Sequence, residues 1–378
     1  MTRSLAIRLG AVLLAGALAA CGGKNKSDAA QPGGGGGGAG GGDAVAGGAD
    51  GAGGGDGAGG LDGAGGGDGG GADGTGGGAP GEPDIKPPGL DLPPAEKARR
   101  VAEHVKKGLD ALEKSNNPDL AVTEAKAALA VDETAVDAMV LLAHAYYVKG
   151  FHDLVEDVLG KAVQRGGAKN KKLHFLMGLV HDKSKRPDQA MDAYAKAVAL
   201  DSNYRPALMN LGVHLLQNKR FQEAVNLYER LTGQLGYRTA ASMSNLGSAY
   251  RGWSAEFTTS NVQRRNQLLL KAEAAYKKSI DIDKNYANAY YNLGLLYLDA
   301  DPFPKGSDDM DLLERLQKAK GFFNDYRRMP GANQKLADEQ VAVTQKLIDK
   351  EERARKKAAE REARRKEREA KDKASGGK

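Results

Sequence analysis

The sequence predicts an all-α fold built from a repeated helical unit, with a long glycine-rich segment before it and a charged helix after it. Three observations carry this. Of the 52 glycines in 378 residues, 33 fall within residues 22–94, a stretch with almost no aliphatic side chains and so nothing to bury. From residue 102 onward the chain is self-similar at a spacing near 34 residues. Within each copy, small and aromatic residues recur three and four positions apart, the spacing of one helix face.

The first 20 residues hold Arg3 and Arg8 and no acids, and residues 9–18 form an apolar run of ten. That run is too short to cross a bilayer as a helix and has the length of a signal-peptide hydrophobic region. It ends Leu18-Ala19-Ala20-Cys21, and Cys21 is the only cysteine of the chain. A single cysteine excludes a disulfide framework and a cysteine-based zinc module. The tetrad resembles the lipobox of bacterial lipoproteins. The resemblance implies that residues 1–20 are a signal peptide and that Cys21 becomes the first mature residue, carrying diacylglycerol and an N-linked acyl chain such as palmitate. Two or three acyl chains hold a protein at a membrane where one is marginal. Gly22, with no Asp at that position, implies sorting to the outer membrane, with the chain facing the periplasm.

Residues 21–94 then read as a lipidated cysteine followed by a disordered Gly/Pro-rich linker with 10 acidic and 3 basic residues. Its root-mean-square reach is roughly 45–50 Å and its stretched length about 250 Å. Calcium-binding nonapeptide repeats need a nine-residue register with large apolar residues, and here Leu61 stands almost alone. Pro80, Pro83, Pro87, Pro88, Pro93 and Pro94 stiffen the end of the linker before helical patterning begins at Ala95.

The repeat is clearest at Asn210-Leu211-Gly212, followed by Ala224, Tyr228 and Leu231. The preceding copy has Met177-Gly178, Ala190, Tyr194 and Ala197, and a weaker one has Leu142-Ala143, Leu159 and Ala162. Two later copies open with Asn245-Leu246-Gly247 and Asn292-Leu293-Gly294. Their second helices arrive late, at Ala272-Tyr276-Ser279 and at Ala319-Phe323-Tyr326. A degenerate first copy uses Ala121, Ala128 and Leu129, with Gly108-Leu109 in reversed order. Copies starting at 102, 136, 171, 205, 240 and 287 are spaced by 34, 35, 34, 35 and 47 residues. These residues resemble the tetratricopeptide repeat (TPR), a helix-turn-helix unit. The resemblance implies a right-handed superhelical solenoid of about six units over residues 95–349, ending in a capping helix. First helices line a groove that binds peptides or partner helices.

On that resemblance Asn210, Asn245 and Asn292 face the groove, where a side-chain amide both donates to and accepts from a peptide backbone. Met209, Val213, Ser248, Arg251, Tyr291 and Leu295 complete the expected lining. The insertion around Trp253 and Phe257 reads as packing of an elongated helix pair. The segment 299–309 begins like a calcium loop, but Phe303, Pro304 and Met310 stand where ligands and a glycine are needed, so it reads as a solvated turn. The six histidines are scattered and read as structural. No nucleophile–base arrangement, nucleotide loop or carboxylate pair stands out, so the chain reads as a non-enzyme with no metal and no cofactor.

Residues 350–378 form a charged basic helix or tail. Between 350 and 373 there are 12 basic and 7 acidic residues and no apolar side chain larger than Ala. Glu351–Arg355, Glu362–Lys366 and Glu367–Lys371 have the favourable i, i+4 order. The tail reads either as a solvated terminal helix or as a basic arm for an anionic surface such as membrane lipid, lipopolysaccharide or an acidic partner; nucleic acid would suit its charge but not an exported chain. Together the layout reads as an outer-membrane TPR lipoprotein that binds polypeptides of the cell envelope and scaffolds a multiprotein machine. By layout it is most similar to the TPR lipoprotein of the adventurous-gliding motility machinery. The alternatives are a pilotin-like assembly factor for a pilus or secretion secretin, and a structural cell-wall or surface tether.

Overall fold

The computed structural model describes residues 92–257, 261–305 and 308–375, which form two compact units, residues 92–166 and 167–375. Cys21, the signal segment and nearly all of the linker lie outside the described residues. Thirteen α-helices, one two-residue β ladder, two short 3-10 turns and one π-helical turn make up the regular structure of the described residues, and none of these helices is long and apolar enough to cross a membrane.

The first unit holds α1 (Pro94–Glu113), α2 (Pro118–Val131), α3 (Val136–Lys149) and α4 (His152–Gln164). Helix α1 starts one residue before the expected Ala95 and eight before the repeat-copy start at 102, because Pro94 supplies the fixed φ and missing N–H that a first helical turn accepts. Asn117 caps α2 by accepting from the Leu120 N–H at 3.0 Å. Helix α3 stops at Gly150, whose φ of 83° is left-handed. The core is made of Ala111, Ala121, Ala125, Leu141, Leu142 and Ala145. Despite its reversed order, Gly108 still serves a close approach: a Cβ there would lie 2.4 Å from Leu141 Cδ2.

The second unit holds α5 (Lys171–Lys183), α6 (Pro187–Leu200), α7 (Arg205–Gln217), α8 (Phe221–Glu229), α9 (Ala240–Ser254), α10 (Val262–Ile282), α11 (Ala287–Asp299), α12 (Leu312–Arg328) and α13 (Gln334–Ser375). The expected starts at 136, 171, 205, 240 and 287 are the first residues of α3, α5, α7, α9 and α11. One contact recurs in this unit. Glycine on a first helix lies under an aromatic ring of its partner: Gly178 under Tyr194, Gly212 under Tyr228, Gly247 under Tyr276 and Gly294 under Phe323, each leaving less than 3 Å for a Cβ. All four rings are fully buried. The turns after second helices share a device as well. Asp132, Asp201 and Asp283 each accept from the backbone N–H two residues on, at 2.9 Å, which replaces the Asp-Pro usual in the resembling family.

The segment expected to be a solvated turn is anchored instead. Phe303 is 1% exposed and its ring centroid lies 5.0 Å from that of Tyr297. Its carbonyl accepts from the Met310 N–H at 2.6 Å, closing a ladder of β1 (Pro304–Lys305) with β2 (Asp308–Asp309). Two buried arginines hold this segment. Arg265 donates to the Pro302 carbonyl at 2.8 Å. Arg315, 2% exposed, donates to the carbonyls of Tyr297 and Leu298 at 2.8 and 3.0 Å and pairs with Asp301 at 3.3 Å. The physical reason is that Phe303 has more apolar surface to bury than a solvated turn would allow. Helix α13 runs without a break through residue 350, so the capping helix and the charged segment are one element.

Candidate functional site

The expected groove residues lie on α7, α9 and α11, the first helices of three successive pairs, and the structure sorts them into an accessible set and a buried set. On α7, Met209, Asn210 and Val213 are half-buried. Asn210 has no hydrogen-bonding partner for its amide among the described residues. On α9, Asn245 is half-buried and donates to the Tyr228 hydroxyl at 3.1 Å, which itself donates to the Met209 carbonyl at 3.1 Å. Ser248 accepts from the Tyr276 hydroxyl at 3.1 Å. Arg251 pairs with Asp299 at 3.5 Å, joining α9 to α11.

The α11 residues are placed differently from the expectation. Asn292 is 7% exposed and donates to Ser244 Oγ at 3.3 Å, so its amide is used inside the protein. Tyr291 and Leu295 are buried with it. The Tyr291 ring packs 5.8 Å from Phe323 and 5.1 Å from Tyr326, and burial pushes its hydroxyl up to about 12. The reason lies on both sides of α11: the α12 rings Phe323 and Tyr326 pack on Tyr291, and Ser244 of the preceding first helix α9 takes the Asn292 amide. The three asparagines therefore do not form a uniform ladder. The accessible strip is Met209, Asn210 and Val213 with Asn245, Ser248 and Arg251.

Its electrostatics are set by the pair at its edge. The Arg251 side chain is 14% exposed and that of Asp299 32%. Desolvation by the surrounding protein nevertheless raises the Asp299 carboxyl above its ordinary range, against the lowering by Arg251 and Arg315. A carboxylate with a third of its surface open but protein on most sides sits in a recess. The strip thus offers a free amide, a hydroxyl, a guanidinium and apolar carbon, which suits a polypeptide. It offers no paired nucleophile and base. Among the described residues no three His, Cys, Asp or Glu side chains gather as a metal-binding group.

One network escaped the sequence reading. Asp182, at the end of α5, accepts from the Tyr194 hydroxyl at 2.7 Å and from Nε2 of the buried His214 at 2.9 Å, tying α5, α6 and α7 together. His104 in the first unit pairs with Glu124 at 2.7 Å. The only sequence signal was that His214 occupies a core position of its helix. The Trp253 ring lies 6.1 Å from Phe257 and under the Arg264 guanidinium at 4.6 Å, so the aromatic pair packs between α9 and the start of α10.

Comparison with known proteins agrees with this architecture. Residues 183–236 and 275–320 match family models for the tetratricopeptide repeat; the first segment spans α6, α7 and α8, and the second runs from the end of α10 through α11 into α12. Rat (Rattus norvegicus) NADPH oxidase activator 1 is 30% identical over 103 residues, 27% of this chain and 23% of the relative. The chain therefore spans about a quarter of the length of the curated relative it matches. Among solved structures, Pseudomonas aeruginosa pilF is 16% identical with a TM-score of 0.49, covering 67% of this chain and all but 1% of its own (99%). YrrB, described as a TPR protein with an unusual peptide-binding site, is 23% identical with a TM-score of 0.37, covering 51% and 92% of the two chains.

Proposed function

We propose that this chain is a polypeptide-binding scaffold held at the bacterial outer membrane by acylated Cys21, which helps assemble a multiprotein machine of the cell envelope such as a gliding-motility complex. TPR folds are protein–protein interaction scaffolds, and stacked helix pairs provide an extended surface for a bound chain. The observation that carries the reading is the half-buried polar strip on α7 and α9. There Asn210 keeps its amide free while its neighbours in register are held in place by tyrosine hydroxyls. Such pre-positioned donors and acceptors lower the ordering cost of binding an extended peptide.

The anchor supports the same reading. A cysteine unique in the chain, ending an apolar run of ten, leaves the folded units on a tether of 73 residues. Cys21→Ala is expected to abolish palmitate labelling and to leave an unprocessed precursor, while residues 95–349 keep their helical content. Labelling that persists in the variant would refute the anchor. Crosslinking in intact cells then reads the machine: a motility complex supports the assembly role stated here, a captured secretin supports pilotin activity, and peptidoglycan alone supports a tether.

A further inference from the structure

We infer that one face of the terminal helix α13 is a contact surface for an anionic lipid bilayer. Near its start α13 packs through the buried Ala337, Thr344 and Ile348, and Arg355 reaches back to Asp311 at 2.6 Å. From residue 352 to 372 every side chain is exposed. The ion pairs within this stretch use only part of its charge: Glu351–Arg355 at 2.9 Å, Glu362–Lys366 at 3.0 Å, Glu367–Lys371 at 2.7 Å and Arg365–Glu369 at 3.7 Å.

Lys350, Arg353, Lys357, Arg361, Arg364 and Arg368 form no ion pair among the described residues. At about 100° per residue these six fall within an arc of roughly 80°, and no acidic residue of the segment shares it. The arc lies about 180° around the helix from Ile348, turned away from the packed side. It is a straight row about 27 Å long of cations without an acidic partner, of which Arg353 donates to the Asp349 carbonyl at 3.1 Å.

The chemistry of the row selects its occupant. It has no apolar residue larger than Ala to insert into a membrane or to hold a partner's side chain, and no pocket. A flat, evenly charged plane is the partner that engages such a row along its whole length, acting within a Debye length of roughly 8 Å. The location of that plane rests on the membrane-anchored reading above. The test is therefore built to be independent of the acyl anchor.

The full chain carrying Cys21→Ser is sedimented with vesicles of phosphatidylcholine alone and of phosphatidylcholine with phosphatidylglycerol. The protein is expected to partition to the anionic vesicles only and to be released by high salt. A cation near such a surface changes partition by about fivefold. Arg361→Glu with Arg364→Glu should thus lower partition by about 25-fold or more. Lys356→Glu with Lys366→Glu makes the same net charge change off the arc and should cost less than about fivefold. Circular dichroism checks that both variants stay helical. Equal losses in the two variants, or equal partition to both vesicle types, would overturn the assignment. So would tighter binding of soluble polyglutamate than of anionic vesicles, which would reassign the row to an acidic protein partner. Palmitate labelling of Cys21 stands or falls separately.

Discussion

Gly212→Leu is expected to lower the stability of the second unit by roughly 1–3 kcal/mol or more, the usual cost of overpacking a filled contact. A Cβ alone at this position would lie 2.5 Å from Tyr228 Cζ and 2.6 Å from its hydroxyl oxygen. The ring has no route away. It is fully buried, and its hydroxyl both donates to the Met209 carbonyl and accepts from Asn245. Gly321 provides the opposite control. It lies exposed in α12 with nothing within 4 Å of its Cβ position, so Gly321→Ala should stabilise by about 0.5–1 kcal/mol through helix propensity. Thermal melts of the two variants should move in opposite directions. An unchanged midpoint for Gly212→Leu would contradict the register of the repeat.

Phe303→Ala should cost about 3–5 kcal/mol, the range for deleting a fully buried aromatic ring. The ring packs against Tyr297 and its backbone closes the β1–β2 ladder. Once the ring is gone, the Arg265 and Arg315 contacts to Pro302 and Asp301 lose the frame that positions them. A solvated turn would tolerate the same change within about 0.5 kcal/mol, as surface substitutions do. Denaturant unfolding therefore separates an anchored insertion from a solvated one by several kcal/mol.

The contrast between these two positions explains what was legible in the sequence. Gly212 and Tyr228 belong to a pattern that recurs, and five of six copy starts coincide with helix starts because the pattern reports pairwise packing repeated along the chain. Phe303 belongs to an insertion found once, where a lone aromatic between prolines gives no periodic signal of burial. The prolines placed the start of helix within one residue, at Ala95, but the copy start at 102 falls inside α1 because the first copy lacks the glycine–aromatic pair and packs Gly108 on Leu141. For the candidate site, the side of each first helix was readable from register, but its burial was not. Asn210 and Asn292 occupy equivalent positions in sequence, but Ser244 on the preceding first helix offers Asn292 an acceptor, whereas the Asn210 amide meets no partner among the described residues. The basic stripe of α13 was hidden for a related reason: charge counts and i, i+4 pairs do not reveal which cations remain unpaired on one arc.

The most direct test of a polypeptide-binding surface on the first helices is site-specific photo-crosslinking in intact cells. A photoreactive residue is placed at Asn210 and, in a second strain, at Gln222, which is exposed on the second helix α8. The account predicts discrete protein adducts from position 210, lost when Arg251 is also changed to Ala, and none of the same adducts from position 222. The same adducts from both positions, or adducts from 222 alone, would contradict it.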